Sequence, residues 1–264
     1  NLAGVPLASF LAWAVSCRAA FAIAAAAALI TFSAIRITVP KVPALPDSGF
    51  AAQFRFLRSL EPWLVLGAIG LGNGGFFAYY SYVNPVMEHV AAVPASMMSV
   101  VITLAGAGMV LGNLFCAKNS SSFSDESLAA AGQGVLLLSL ASVFFLAHWS
   151  PAAIALTTLA AGCVFFISGP EQVLMIRNAK EGQLLAASLA QVSFNAGNAV
   201  GAWLGGLPID AGKAANWAAM PGFFLALAGF GLLFVNWLIH RVREEERTAG
   251  RIAALQDQIQ SKMP

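Results

Sequence analysis

Long, uninterrupted apolar runs alternate along the chain with short polar connections. Seven runs reach full length, at residues 19–39, 62–84, 96–117, 128–148, 152–174, 184–206 and 216–238, and a half-length run occupies residues 1–15. A helix crossing about 30 Å of hydrocarbon needs about 20 mostly apolar residues, so each full run predicts a membrane-spanning helix. Strands of a membrane barrel alternate in polarity over about ten residues, which these continuous runs do not. The pattern therefore predicts an all-α polytopic membrane protein.

Composition agrees. Of 264 residues, 59% are hydrophobic and 10% charged, with a mean hydropathy of +0.76; soluble domains carry about 25% charged residues. The opening NLAGVPLASFLAWAV is already apolar and lacks a basic leader segment. It reads as the second half of a membrane helix, and the chain is expected to be part of a longer protein.

Charge placement sets the expected orientation, because short cytoplasmic connections collect Lys and Arg. If the connection at residues 40–61 is cytoplasmic, 12 of the 14 basic residues fall inside and only Arg18 and Lys213 outside. The C-terminal tail is then cytoplasmic. The connection itself, KVPALPDSGFAAQFRFLRSLEPW, begins rich in proline and continues with Phe50, Phe54, Leu57 and Leu60 near one face, beside Arg55 and Arg58. That spacing predicts a short amphipathic helix in the membrane interface. The tail after residue 238 is polar, with Ile252, Leu255 and Ile259 in helical register.

Within GLGNGGFFAYYSYVNP, Gly70, Gly72 and Gly75 have the G-x-G-x-x-G spacing of dinucleotide sites. Such a site needs a preceding strand, a following helix and an acid about 20 residues on, and this apolar run supplies none of them. The glycines fit membrane packing better. Gly70 and Gly74, Gly108 and Gly112, and Gly197, Gly201 and Gly205 all repeat at i, i+4, the small-residue spacing that lets helix backbones approach closely. They are candidate packing and gating positions.

Two runs carry polar stripes. At 100° per residue, Asn73, Phe77, Tyr80 and Asn84 fall near about 0°, 40°, 340° and 20° around one helix. Ser188, Gln191, Asn195 and Asn198 cluster similarly on another, beside its glycine stripe. Amides in hydrocarbon are costly without partners. They serve either as glue between helices or as the lining of an aqueous pathway for a neutral polar solute, and two such faces favour the pathway. Tyr79 and Tyr82 point elsewhere and are expected to pack.

Acids are scarce in the runs. Glu171, in ISGPEQVLMIRNAK, is the one carboxylate within a full run; with Arg177 and Lys180 following, it reads as a salt-bridged helix end or a gating residue. Pro170 is expected to kink that helix. Cys17, Cys116 and Cys163, and His89, His148 and His240, are too scattered for a disulfide framework or a metal site. Neither a nucleophile with its base nor paired acids is visible, so an intramembrane enzyme is not expected. The sequence calls for no cofactor and no nucleic-acid partner.

Several stretches together resemble a family. GVPLASFLAWAVSCRAAF is similar to the turn between the fifth and sixth helices of drug:proton antiporters in the major facilitator superfamily. Val5, Pro6, Leu7, Arg18 and Phe21 fit its pattern, while Ala8 and Cys17 replace the usual Gly and Trp. QFRFLRSLEPWL, GNGGFFAYYSYVNP, GMVLGN, NAKEG and QVSFNAGNAVGAWLGG resemble the sugar and arabinose efflux permeases of that group. The family's basic loop signature after the eighth helix is reduced here to Lys118.

The resemblance implies a fragment covering helices five to twelve of a twelve-helix transporter. Residues 1–39 would be the remnant of the N-terminal half, 40–61 the central cytoplasmic loop, 62–238 the complete six-helix C-terminal half and 239–264 a cytoplasmic tail. It further implies a monomer in a bacterial inner membrane that exports a small solute by alternating access, driven by protons, with coupling acids largely in the missing half. The pathway would be lined by Asn73, Phe77, Tyr80, Asn84, Gln191, Asn195 and Asn198. A non-transporting membrane scaffold or truncated remnant is the alternative.

Overall fold

The computed structural model describes residues 16–38, 50–179 and 182–262. The half-run at residues 1–15, the proline-rich start of the central connection at 39–49, and Lys180 lie outside them. Seven long helices occupy the positions of the seven apolar runs: α1 (Cys17–Thr38), α2 (Leu60–Tyr80), α3 (Met98–Asn119), α4 (Asp125–Leu146), α5 (Ser150–Asn178), α6 (Gln183–Asp210) and α7 (Ala219–Lys262). No strand occurs among the described residues.

Local chemistry sets several boundaries. Ser124 caps α4 by accepting the Ser127 N–H, and Asp125 and Glu126 place negative charge in its first turn, where the helix dipole favours it. Pro151 lies in the first turn of α5, where a missing N–H costs nothing. Pro170 and Pro208 lie inside α5 and α6, which continue past them. The chain ahead of α2 forms two short turns, Phe50–Gln53 and Arg55–Arg58, instead of one amphipathic helix. Phe56 packs against the core, whereas Phe54 and Leu60 are exposed. The α7 helix runs on without a break from the last apolar run into the polar tail.

The bundle is built from two three-helix units packed in the same way. The first helix of one unit, α2, packs on α6 and α7; the first helix of the other, α5, packs on α3 and α4; α4 against α7 closes the ring. Glycines form both major seams. A Cβ on Gly197, Gly201 or Gly205 of α6 would collide with the backbone carbonyl of Gly70, Gly74 or Ala78 of α2. On the other side, Gly108 and Gly112 of α3 meet the carbonyls of Thr158 and Gly162 of α5 in the same manner. Ala105, Ala160, Ala161, Ala186 and Ala190 fill the core around these seams with Leu136, Leu140 and Leu174. The described side chains of α1 are exposed along nearly all of its length.

Five long helical segments are long and apolar enough to cross a membrane on their own: α1, α3, α4, α5 and the first part of α7. The two that fall short, α2 and α6, carry the polar stripes and the densest glycines.

Candidate functional site

The stripes sit on two neighbouring helices, α2 and α6, beside the seam between them. Phe77 and Tyr80 are half-buried there, and Phe77 meets Phe194 of α6 edge to face with centroids 6.1 Å apart. Phe76 stacks on Tyr80 at 4.7 Å from beneath, so an aromatic ledge bridges the two helices. On α6, Gln191 and Asn195 are exposed, and the Asn195 amide donates to the Gln191 carbonyl at 2.9 Å. Asn198 is half-buried, with its side-chain oxygen shielded and without a partner. Ser193 faces the seam, donating to the Leu66 carbonyl at 2.6 Å. A shared face of aromatic rings and amides results, able to stack on a ring and to hydrogen-bond a polar group.

One residue of the expected stripe, Asn73, lies away from this face, and another, Asn84, lies beyond the end of its helix. Asn84 is exposed, but α2 stops at Tyr80 and the chain re-forms as a short turn at Val83–Pro85 followed by a π-turn at Val86–Val90, so Asn84 leaves the 100° register. Asn73 is 4% exposed and points into the bundle, its amide donating to the Ile69 carbonyl at 2.8 Å. Helical spacing placed it on the stripe; the closeness of α5 buries it. Tyr79 is fully buried, its hydroxyl 2.6 Å from the Thr157 hydroxyl of α5, and the Tyr82 hydroxyl donates to the Ala202 carbonyl at 3.0 Å.

Glu171 does not lie at a helix end, and no salt bridge reaches it among the described residues. Because α5 continues to Asn178, Glu171 lies two turns inside it; it is 2% exposed, with Oε1 unpartnered and Asn73 as its polar neighbour. Arg177 instead pairs with Glu126 and approaches Asp125 at 3.9 Å. His240 of α7 is 3.4 Å from the same Glu126, and Arg243 pairs with Glu61 at the start of α2. These pairs tie α2, α4, α5 and α7 together at one end of the bundle, referred to below as the basic end. Sequence spacing missed this network because its members are 51 to 182 residues apart; the acids in the first turn of α4 were its one local signal.

A separate groove of about 1420 Å³ runs between α3, α4 and α5, lined by residues such as Leu104, Leu111, Phe115, Val135 and Phe166, with Lys118 at its basic end. Its apolar lining is that of a lipid-facing surface, and none of the stripe residues reaches it. No grouping of three or more metal-ligating side chains occurs among the described residues.

The chain is 34% identical over 89% of its length to AraJ of Escherichia coli (strain K12), which is named as a transporter. It is 28% identical, again over 89%, to the inner membrane transport protein YdhP of the same strain. It is 26% identical over 87% to YfhI of Bacillus subtilis (strain 168), an uncharacterized MFS-type transporter. All three relatives are named as transporters. No family model matches the chain. The chain spans 60% of the length of AraJ and YdhP and 57% of YfhI. With an all-helical, glycine-seamed bundle and these relatives, the chain is a multi-pass membrane protein with a partial major facilitator fold.

Proposed function

We propose that the full-length protein is a secondary active transporter of the drug:proton antiporter kind, exporting a small polar or amphiphilic solute, a sugar or a drug, in exchange for protons. The observation that carries this reading is the ledge of Phe77, Tyr80 and Phe194 beside the exposed amides Gln191 and Asn195 on one side of the α2–α6 seam. Rings bind sugar faces or drug aromatics, and amides pair with hydroxyls or amines. A polar face of this kind on a membrane helix needs water or a solute opposite it. In this reading the rest of the longer protein supplies the opposing half, and the halves rock about the solute.

The basic end, with Lys118, Arg177, Arg241 and Arg243, faces the cytoplasm in this assignment, and the membrane is the bacterial inner membrane. The glycine seams hold α2 to α6 and α3 to α5 as the halves move. Residues 62–238 act as one six-helix unit and the tail stays cytoplasmic. The transporter works as a monomer in the bilayer.

The test uses the full-length protein in everted vesicles with an imposed pH gradient, and L-arabinose and ethidium as probes. N195A should lower flux of whichever probe the wild type moves, at unchanged membrane abundance. Unchanged flux in N195A removes this face from the pathway, and a wild type that moves neither probe removes the proposed substrate classes.

A further inference from the structure

We propose that Glu171 is a proton-binding site in this half of the molecule, loaded while it is buried between α2 and α5 and emptied when water reaches it. Its place on the helix is the first argument. Seven residues before the end of α5, it lies about 10 Å inside the helix terminus at 1.5 Å per residue, 2% exposed and between helices.

The second argument is what surrounds it. No ion pair reaches Glu171 among the described residues, and Oε1 has no hydrogen-bond partner. The charged groups on the helices packed against α5 are occupied or distant. Glu61 of α2 pairs with Arg243, Lys118 of α3 is exposed, and Asp125 and Glu126 of α4 engage Arg177 and His240. Asp210 lies at the far end of α6. From α5 itself, Arg177 turns to α4. The polar neighbour left is Asn73 of α2, whose amide gives one N–H to Ile69 and is hydrogen-bonded to the Glu171 carboxyl.

An ionised carboxylate stripped of water and of counter-charge costs several kcal/mol. A neutral carboxylic acid costs far less to bury, and the one neutral amide beside it, Asn73, supplies no charge to hold a carboxylate. When water reaches the carboxyl the O–H bond breaks, the proton passing to water and the electron pair staying on the carboxylate. Exclusion of water reverses the step. Glu171 thus supplies an acid in the half for which the family resemblance implies few. Its use as a coupling site rests on the transport reading; its proton does not.

The experiment is an infrared titration of the full-length protein in phosphatidylethanolamine–phosphatidylglycerol vesicles, following the carbonyl stretch of protonated carboxyl groups. The wild type should show this band at neutral pH, E171Q should lose it, and E171D should keep it at a shifted position. N73A retains the acid and changes its neighbour, so the band should persist and move, which keeps the test decisive where E171Q fails to fold. A band equal in wild type and E171Q, or one unmoved in N73A, overturns the proposal. Because the titration reads the proton whether or not solute moves, a failed flux assay leaves its result standing, and a missing band leaves the transport reading standing.

Discussion

Gly201 of α6 lies directly against the backbone carbonyl of Gly74 of α2, so close that a Cβ at Gly201 would overlap that oxygen. Gly197 on Gly70 and Gly205 on Ala78 repeat the contact one turn to either side. G201A must push the backbones apart, at about 1–3 kcal/mol of overpacking, and G201V more. Gly231 of α7, where a Cβ would meet nothing within 4 Å, is the matched control: G231A should be neutral or stabilising by up to about 1 kcal/mol through helix propensity. Thermal unfolding of the full-length protein in detergent separates the two. Equal midpoints for G201A and G231A would exclude the seam.

The buried end of the ion network gives a second test. Glu126 is 1% exposed, and its Oε2 already lacks a partner, so its charge leans on Arg177, with His240 3.4 Å away. R177M leaves the buried carboxylate short of counter-charge and should cost about 1–3 kcal/mol, the half-exposed guanidinium keeping the loss below that of a fully buried pair. The double variant E126Q/R177M should recover most of the loss. Unfolding midpoints of the two single variants and the double form the cycle; simple additivity would show that the residues do not act as a pair.

What was legible in the sequence follows from the range of the forces involved. Helix positions were legible because hydrocarbon imposes about 20 apolar residues locally on a span: all seven long helices lie where the apolar runs are, and five of them are apolar enough to cross a membrane on their own. The glycine repeats Gly70/Gly74 and Gly197/Gly201/Gly205 announced close approach, but which stripe meets which is a long-range fact that only the bundle supplies. The stripe angles assume one unbroken helix. They hold for Phe77 and Tyr80, while the break after Tyr80 takes Asn84 off the register. Angles also do not say which neighbour lies opposite, and α5 is what turns Asn73 from a lining residue into the companion of Glu171. Glu171 has basic residues close to it in sequence, but the nearer one, Arg177, reaches across to α4.

Tyr79 and Thr157 offer an asymmetric pair. The Thr157 hydroxyl donates to the Ala153 carbonyl at 2.7 Å, which leaves it to accept from Tyr79 at 2.6 Å. Y79F therefore removes one bond and strands nothing, at about 1 kcal/mol. T157V strands a fully buried phenol hydroxyl and should cost more, about 1–3 kcal/mol. Chemical denaturation of the two variants in mixed micelles checks the order; a larger loss in Y79F would mean that the hydroxyl pair runs the other way.

The exposed amides should separate function from stability. Asn195 lies on the open face of α6, and its one hydrogen bond in the structure is to its own helix at Gln191. Truncation to alanine therefore removes no packing against another helix, and the unfolding midpoint should stay at the wild-type value. If the amide binds solute through one hydrogen bond, losing about 0.5–1.5 kcal/mol weakens apparent affinity by about 2- to 12-fold. Q191A should act in the same direction, and F194A more strongly, since it also removes the ring that meets Phe77. S142A, on α4 away from the α2–α6 seam and bonded only to its own helix at Leu138, should change neither quantity. The decisive comparison is concentration-dependent flux in N195A and S142A measured on the same vesicles. A matching half-saturation in both would place the solute elsewhere, whereas a rise confined to N195A with an unchanged unfolding midpoint would locate it on this face.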